Sequence, residues 1–364
     1  MQIQAITHFL ESIAPLSLQE SYDNAGLLVG CETDEISGIL LSLDVTEAVI
    51  EEAIQKNCNL IIAHHPIIFK GLTKLNGKNY VERTVIQAIK NNIAIYAAHT
   101  NLDHITGGVN FKIAEKLHLT KVKILVPKKN QLSKLTTFSP ITHTTEILKA
   151  LNEAGAGQIG DYKDCSFFSR GTGAYRPMLG TNPFEGKPNQ LSTVQEDRIE
   201  VVFPSHLQNQ LVKTLKSVHP YEEVAYYVTV LENENNEIGA GVIGTLAEEI
   251  NELDFLHQIK NVFKVNGLRF TPLRNKKINK VAICGGSGSF LLRNAIAAEA
   301  DIFITADFKY HEYFDADNKI VIADIGHYET EECTKELFYE LLSKKFSNIA
   351  VLLGETVTKP YNYL

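Results

Sequence analysis

Three apolar stretches of this chain break off into side chains that bind metal ions. Leu60-Ile61-Ile62-Ala63 runs into His64-His65-Pro66, Ile95-Tyr96-Ala97-Ala98 runs into His99 and on to Asp103, and Ile320-Val321-Ile322-Ala323 runs into Asp324 and on to His327 and Glu331. A buried strand has little use for imidazoles and carboxylates at its tip unless something binds there. That donor mixture suits zinc, iron or manganese. In a strand His64 and His65 would point to opposite faces. At a turn they can diverge around two ions, and Pro66 keeps His65 out of the helical region. His327 and Glu331 are four residues apart, which on a helix stacks them on one face. Asp103 is short enough to bridge. The pattern predicts a two-metal site of His64, His65, Asp103, His327 and Glu331. Two ions about 3.5–4 Å apart can share a hydroxide and polarise a substrate atom, which is hydrolytic chemistry.

His-His-Pro alone would say little, because a lone buried histidine is more often a satisfied core residue. Three strand tips together turn the balance toward metal. His99, Asp307, His311 and Asp324 stand nearby in the pattern. Asp307 and His311 are expected to look into the cleft and are the candidates for acid, base or substrate-binding roles. The plainer alternative for them is strand-end capping or a surface ion pair. Structural zinc prefers closed cages rich in cysteine, and no cysteine lies within the strand-tip motifs that carry these ligands.

These side chains need strands to carry them. Strands are expected at 39–44, 60–63 and 93–98, with helices at 46–56, 80–91 and from 107 to about 117. The pattern returns with strands at 281–284, 301–305, 319–323 and 349–353. Helices are expected from 289 to about 299 and over 330–346. Strands alternating with helices imply parallel units in an α/β sheet, with ligands beyond the strands' carboxyl ends. Laying Leu41 on Ile283 puts Ile62 on Ile304 and His65 on Asp307 without a gap. This is a weak repeat in identity and a clear one in pattern. It implies two related α/β lobes, 1–127 and 236–364, whose strand tips face a common metal cleft.

Residues 128–235 break that rhythm. Strands are expected at 132–139, 198–203 and 224–231, and helices at 143–154 and 208–218. A loop-rich stretch covers 165–195, and a polar linker 232–237. Strand–helix–strand twice over suggests an inserted ferredoxin-like α+β domain.

The chain has 364 residues, a net charge of −8 and 44% hydrophobic residues. That charge and the lack of a basic run argue against nucleic acid as the main partner. No signal peptide opens the chain and no apolar run approaches the ~20 residues of a membrane span, so a cytoplasmic protein is expected. The five cysteines are scattered, with no Cys-x-x-Cys, and read as reduced thiols. Gly285-Gly286-Ser287-Gly288-Ser289 lacks the lysine of a phosphate loop and reads as a tight turn.

Tyr22-Asp23-Asn24-Ala25-Gly26-Leu27, Ala63-His64-His65-Pro66, His99-Thr100-Asn101-Leu102-Asp103, Cys284-Gly285-Gly286-Ser287-Gly288, Ala306-Asp307-Phe308-Lys309-Tyr310-His311 and Asp324-Ile325-Gly326-His327-Tyr328-Glu329-Thr330-Glu331 together carry a family resemblance. The chain resembles the Nif-three-like dinuclear-metal proteins, known as GTP cyclohydrolase 1 type 2 homologs. The resemblance implies the same five ligands and two divalent ions per chain. It also implies a ring-shaped homohexamer and, from Gly160-Asp161-Tyr162 and His219-Pro220-Tyr221-Glu222-Glu223, an insert like PII and CutA proteins. The implied reaction is hydrolytic opening of the imidazole ring of GTP by a metal hydroxide. Fold and metal site do not fix a substrate. The alternative is a non-catalytic carrier of metal or metallocofactor, or a regulator whose inserted domain senses a small ligand.

Overall fold

The computed structural model describes residues 1–364. The chain divides into two compact units, one formed by Met1–Pro127 with Asn236–Leu364 and the other by Lys128–Asn235.

The first unit opens with α1 (Ile3–Ile13), β1 (Gly26–Val29), β2 (Ile39–Ser42), α2 (Glu47–Gln55), β3 (Leu60–Ala63), α3 (Tyr80–Lys90), β4 (Ala94–Ala97), α4 (Thr100–Asp103), α5 (Val109–Lys116) and β5 (Thr120–Lys129). Local chemistry sets the helix ends. The Thr46 hydroxyl accepts from Val49 N, and Asn79 Oδ1 accepts from Glu82 N at 2.9 Å, satisfying donors that a first turn leaves free. Asn57 and Asn92 close α2 and α3 in the left-handed region, where asparagine is tolerated.

The inserted unit contains β6 (Leu132–Pro140), α6 (Thr144–Glu153), β7 (Ser166–Tyr175), β8 (Ser192–Pro204), α7 (Gln208–Val218) and β9 (Tyr226–Leu231). Its antiparallel sheet runs β7-β8-β6-β9, the ferredoxin-like order. Leu135, Ile147, Ile199, Phe203 and Leu211 form its core. Residues 166–175 are a strand rather than part of a loop. β7 is an edge strand with little buried surface, so it lacks the apolar alternation that marks a strand in sequence.

The chain returns to the first unit through β10 (Glu234–Asn251), α8 (Glu252–Val262), β11 (Arg269–Phe270), β12 (Lys277–Ser287), α9 (Leu292–Ala297), β13 (Ile302–Ala306), β14 (Val321–Asp324), α10 (His327–Glu331), α11 (Thr334–Lys345) and β15 (Val351–Leu353). Two sheets result, β1-β4-β3-β2-β15 and β11-β14-β13-β12-β10-β5. Each half lends an edge strand to the other's sheet, β15 to the first and β5 to the second. The two expected lobes are therefore one unit. The repeat is real in register: Leu41 pairs with Ile62 in the first sheet, and Ile283 with Ile304 in the second.

Alternation along the strands builds the layers. Leu60, Ile62, Ile302 and Ile304 point into one shared core with α1, α5, α8 and α11. Ile61 and Ala63 face α2 and α3 on the outer side of the first sheet, and Phe303 faces α9 on the outer side of the second. Burial of both faces explains why β3 and β13 read as continuous apolar runs. Truncating Ile62 or Ile304 to alanine would cost roughly 2–5 kcal/mol.

Three further sequence expectations need correction. Residues 234–237 are not a linker but the start of β10, and Glu237 O accepts from Thr106 N. The helix expected over 330–346 is two helices with a break at Glu332 and Cys333. There the Thr330 hydroxyl accepts from Gly286 N at 3.0 Å and the Cys333 thiol meets Thr330 O, so tertiary contacts override helix propensity. β12 runs on through Gly285 and Gly286 to Ser287, and no long helix follows it.

Candidate metal centre

β3 ends at Ala63, and one carbonyl, Leu43 O, accepts from both His64 N at 3.1 Å and His65 N at 2.9 Å. Sharing one acceptor beyond the neighbouring strand breaks the regular ladder, and the two imidazoles lie with centroids 5.0 Å apart, inclined at 44°. Each ring then has one nitrogen fixed. His64 Nδ1 donates to Ala98 O at 2.9 Å, and His65 Nδ1 lies 2.7 Å from Asp44 Oδ1. His327 Nδ1 meets Asp307 Oδ2 at 2.6 Å, and His99 Nδ1 meets Asp23 Oδ1 at 2.7 Å. Holding Nδ1 on an oxygen sets the tautomer and leaves Nε2 free, the arrangement of a metal-ligating histidine.

Three of these nitrogens, those of His64, His65 and His327, converge on Glu331. Its Oε2 lies 2.9 Å from His65 Nε2 and 3.0 Å from His327 Nε2, and those nitrogens are 3.4 Å apart. Ligand bonds of about 2.0–2.1 Å in a tetrahedron give edges of roughly 3.3 Å, so this triangle has the size of one face of a coordination shell. Oε1 of the same carboxylate is 3.7 Å from His64 Nε2, which is 3.6 Å from Asp103 Oδ1. His64 is fully buried, yet its Nε2 has no hydrogen-bond partner. A buried polar atom without a partner is costly, and a cation between His64, Asp103 and Glu331 would remove that cost. The residues fit metal ions on these grounds.

Two groups satisfy ligand spacing with one atom per residue: His65, His327 and Glu331, and His64, His65 and His99. The second brings in His99, whose ring centroid is 5.2 Å from that of His64.

Helix and glycine geometry make the site possible. α10 starts at Gly326, whose φ of 100° suits glycine, and so places His327 and Glu331 one turn apart. Across from them Gly286, at φ 60°, leaves the space that Glu331 occupies. Asn110 ties α5 to the glycine strand, its Oδ1 accepting from Gly285 N at 2.8 Å while its Nδ2 donates to Asp103 O at 3.1 Å.

The charges are strongly coupled. Burial disfavours a proton on His65, but Asp44 and Glu331 carry its pKa up to about 10. Burial likewise opposes protonation of His327, and Glu331 and Asp307 raise it to about 9. For His64, Asp103 and Glu331 outweigh burial and the shift is upward. Burial would raise Glu331, yet His327, His64 and His65 hold it well below the carboxylate range. Asp103 moves up, because its burial, with Glu331 adding, exceeds the help from His64. The carboxylates that would hold cations thus favour protonation of His65 and His327 in their absence.

A cavity of about 740 Å³ opens over the cluster. Tyr22, Phe69 and Phe290 give it aromatic walls, and His65, His99, Asp103, His327 and Glu331 its polar end. No lysine or arginine lines it. Asp307 and His311 do not sit on its wall. Asp307 stands on the outer nitrogen of His327 and lines a separate pocket of about 420 Å³. It turns the chain through φ 59°. Residues beyond it are drawn to Asp324, which accepts from Phe308 N at 3.1 Å and Tyr313 OH at 3.0 Å. His311 is exposed and rests beside Tyr310 and Phe314. Asp324 is a buried anchor, paired also with Arg269, and His104 Nδ1 meets Leu18 O. Sequence reasoning missed Asp44 and Asp23 as the carboxylates that orient His65 and His99. Asp44 had a signal, as the acid at the end of the strand parallel to β3.

The chain matches the Duf34/NIF3 (NGG1p interacting factor 3) family over residues 1–360. It is 38% identical over 366 residues to the "GTP cyclohydrolase 1 type 2 homolog" of Halalkalibacterium halodurans, covering 99% of this chain and 98% of the relative. The protein of the same description from Bacillus subtilis is 36% identical over 367 residues, with 99% and 98% covered. Among solved structures, a Bacillus cereus protein related to NIF3 superposes with a TM-score of 0.88 at 37% identity, covering 100% of this chain and 99% of that one. No helix is long and apolar enough to cross a membrane.

Proposed function

The chain belongs to the Duf34/NIF3 family, and from that premise we propose that it is a hydrolase working with two divalent cations, which His64, His65, Asp103, His327 and Glu331 would hold. The observation that carries this reading is the division of one buried carboxylate: Oε1 is turned to His64, beside Asp103, and Oε2 to His65 and His327. An all-imidazole and carboxylate donor set suits zinc, iron or manganese. Cations held there supply Lewis-acid chemistry, acidifying water and polarising a substrate bond near neutral pH.

The chain's own side chains do the rest. His99, fixed through Nδ1 by Asp23, presents its other nitrogen to the cavity and is placed to carry a proton. Asp307 holds the ring of His327 and acts as a positioning residue. Tyr22, Phe69 and Phe290 can flank a flat ring. No lysine or arginine lies on the cavity wall, so the chain's own side chains recognise a heteroaromatic ring. The substrate class is a heterocycle, free or within a nucleotide, and GTP is the first to test, from the name its relatives carry.

The deciding experiment is metal content per chain by mass spectrometry, beside Asp103→Ala and Glu331→Ala, followed by GTP turnover. Two ions in the parent, about one in Asp103→Ala and neither in Glu331→Ala support the reading. A parent that takes up no ion after loading with zinc, manganese or ferrous iron overturns it. Full loading without turnover of GTP or a free purine leaves a binding protein instead.

A further inference from the structure

The inserted unit has a pocket of its own, of about 270 Å³, which the metal chemistry does not use. Tyr175, at the end of β7, Phe184 and Tyr221 form its walls, with Pro177 and Pro183 filling the gaps between them. The Tyr221 ring stands 5.9 Å from that of Phe184 at 50°, and 6.4 Å from that of Tyr175 at 53°. Three rings inclined in this way line the pocket and do not stack it shut.

Both phenols are engaged elsewhere. Tyr221 OH donates to Glu196 Oε1 at 2.7 Å, and Tyr175 OH donates to Glu185 O at 2.7 Å. Room for the buried Glu196 carboxylate exists because residue 173 is glycine: a Cβ there would lie 2.0 Å from Glu196 Oε2. The walls therefore offer aromatic rings whose hydroxyls are engaged, and the hydroxyl of Thr181, also on the lining, donates to Met178 O at 2.9 Å. Glu222 and Glu223 stand at the rim, Glu222 accepting from Asn182 N at 2.8 Å, and no lysine or arginine lines the pocket.

Aromatic faces carry negative potential and attract cations, most of all when the cation is weakly hydrated. A primary ammonium is strongly hydrated and needs three acceptors; the aromatic walls supply none, and the carboxylates stand only at the rim. A fully alkylated ammonium needs none. The volume lies below the usual range for drug-sized ligands, so the occupant is small. We propose that the inserted unit binds a small quaternary ammonium cation through the faces of Tyr175, Phe184 and Tyr221, with Glu222 and Glu223 supplying the opposing charge.

The test is calorimetric titration of the full chain with choline, with its neutral isostere 3,3-dimethylbutan-1-ol, and with ethanolamine. Choline is expected to saturate below about 10 mM, with the isostere and ethanolamine each at least tenfold weaker, as a cation–π site requires. Phe184→Ala, at a residue 46% exposed, should abolish binding while circular dichroism stays unchanged. Tyr175→Phe should retain it, because the ring and not the hydroxyl makes the contact. The proposal is overturned if choline shows no saturable heat in that range, if the neutral isostere binds as tightly, or if Phe184→Ala binds choline like the parent.

Discussion

A Cβ placed on Gly286 would lie 2.3 Å from Oε1 of Glu331, the oxygen turned toward His64. The glycine and the carboxylate thus occupy complementary space on facing elements, β12 and α10. The metal reading depends on that fit, since Glu331 reaches His64, His65 and His327 only if nothing displaces it.

Gly286→Ala should therefore damage the site more than the fold. The new methyl meets a carboxylate oxygen, and φ of 60° disfavours a side chain. The expected outcome is loss of metal binding with about 1–3 kcal/mol of destabilisation. Metal analysis beside thermal unfolding in chelator would separate the two effects. Normal metal content in this variant would contradict the role given to Glu331.

Asp44 accepts from His65 Nδ1 and from the Thr358 hydroxyl, at 2.7 and 2.6 Å. Asp44→Asn keeps the shape but loses the charge that fixes the imidazole. Metal affinity should fall roughly 10–100-fold. Competition with a chromogenic chelator measures this, and unchanged affinity would remove Asp44 from the site.

In the metal-free protein, His65 and His327 have values of about 10 and about 9 against an ordinary 6.5. A raised folded-state value means that protonation stabilises the metal-free fold. That contribution is complete below 6.5 and disappears as pH climbs through 9 and 10. A metal ligand must be unprotonated, so loading at pH 7 should release protons, and affinity should rise with pH up to about 9–10. Calorimetry in buffers of differing ionisation enthalpy reads the protons directly. Loading without proton release at pH 7 would show that these histidines are not ligands.

If His99 carries a proton in turnover, His99→Asn should lower kcat about 10²–10⁴-fold while both ions stay bound and KM changes little. Loss of an ion in this variant would instead make His99 a ligand, as its grouping with His64 and His65 allows. Metal content and kinetics on the same preparation decide between these outcomes.

Glu52 fastens the chain's C-terminal segment. It accepts from Glu355 N at 2.8 Å, Thr356 N at 2.9 Å and Lys56 Nζ at 2.8 Å. Burial would raise its pKa, but these donors pull it down to about 2. The stabilisation is present above its ordinary 4.5 and is lost as pH falls toward 2. Glu52→Gln should cost roughly 1–3 kcal/mol and flatten the acid limb of the stability profile between those values. Chemical unfolding at pH 7 and pH 3 tests both parts.

The sequence by itself determined what periodicity and residue type can carry. Leu60–Ala63 is apolar on both faces and Ile302–Ala306 is so but for Thr305, so they read as buried parallel strands. His64, His65, Asp103, His327 and Glu331 stood out because imidazoles and carboxylates are expensive at buried strand tips. The Leu41–Ile283 alignment anticipated the pairing registers, since both halves solve the same packing problem. Strands at or next to a sheet edge were another matter. β5, β7 and β10 gain order from partners distant in the chain, and little in their own sequences announces it.

Only the tertiary structure decided which groups meet. Asp44 and Asp23 became the orienting carboxylates because parallel pairing sets β2 beside β3 and the fold carries residue 23 to residue 99, separations that no local pattern encodes. Asp307 and His311 look alike in sequence as acids or bases beyond a strand. A left-handed turn at Asp307 and the anchor at Asp324 leave one on the back of His327 and send the other to the surface. Residue type states what chemistry a side chain can do. Its distance from a partner depends on chain reversals and long-range packing, and those exist only once the whole unit has folded.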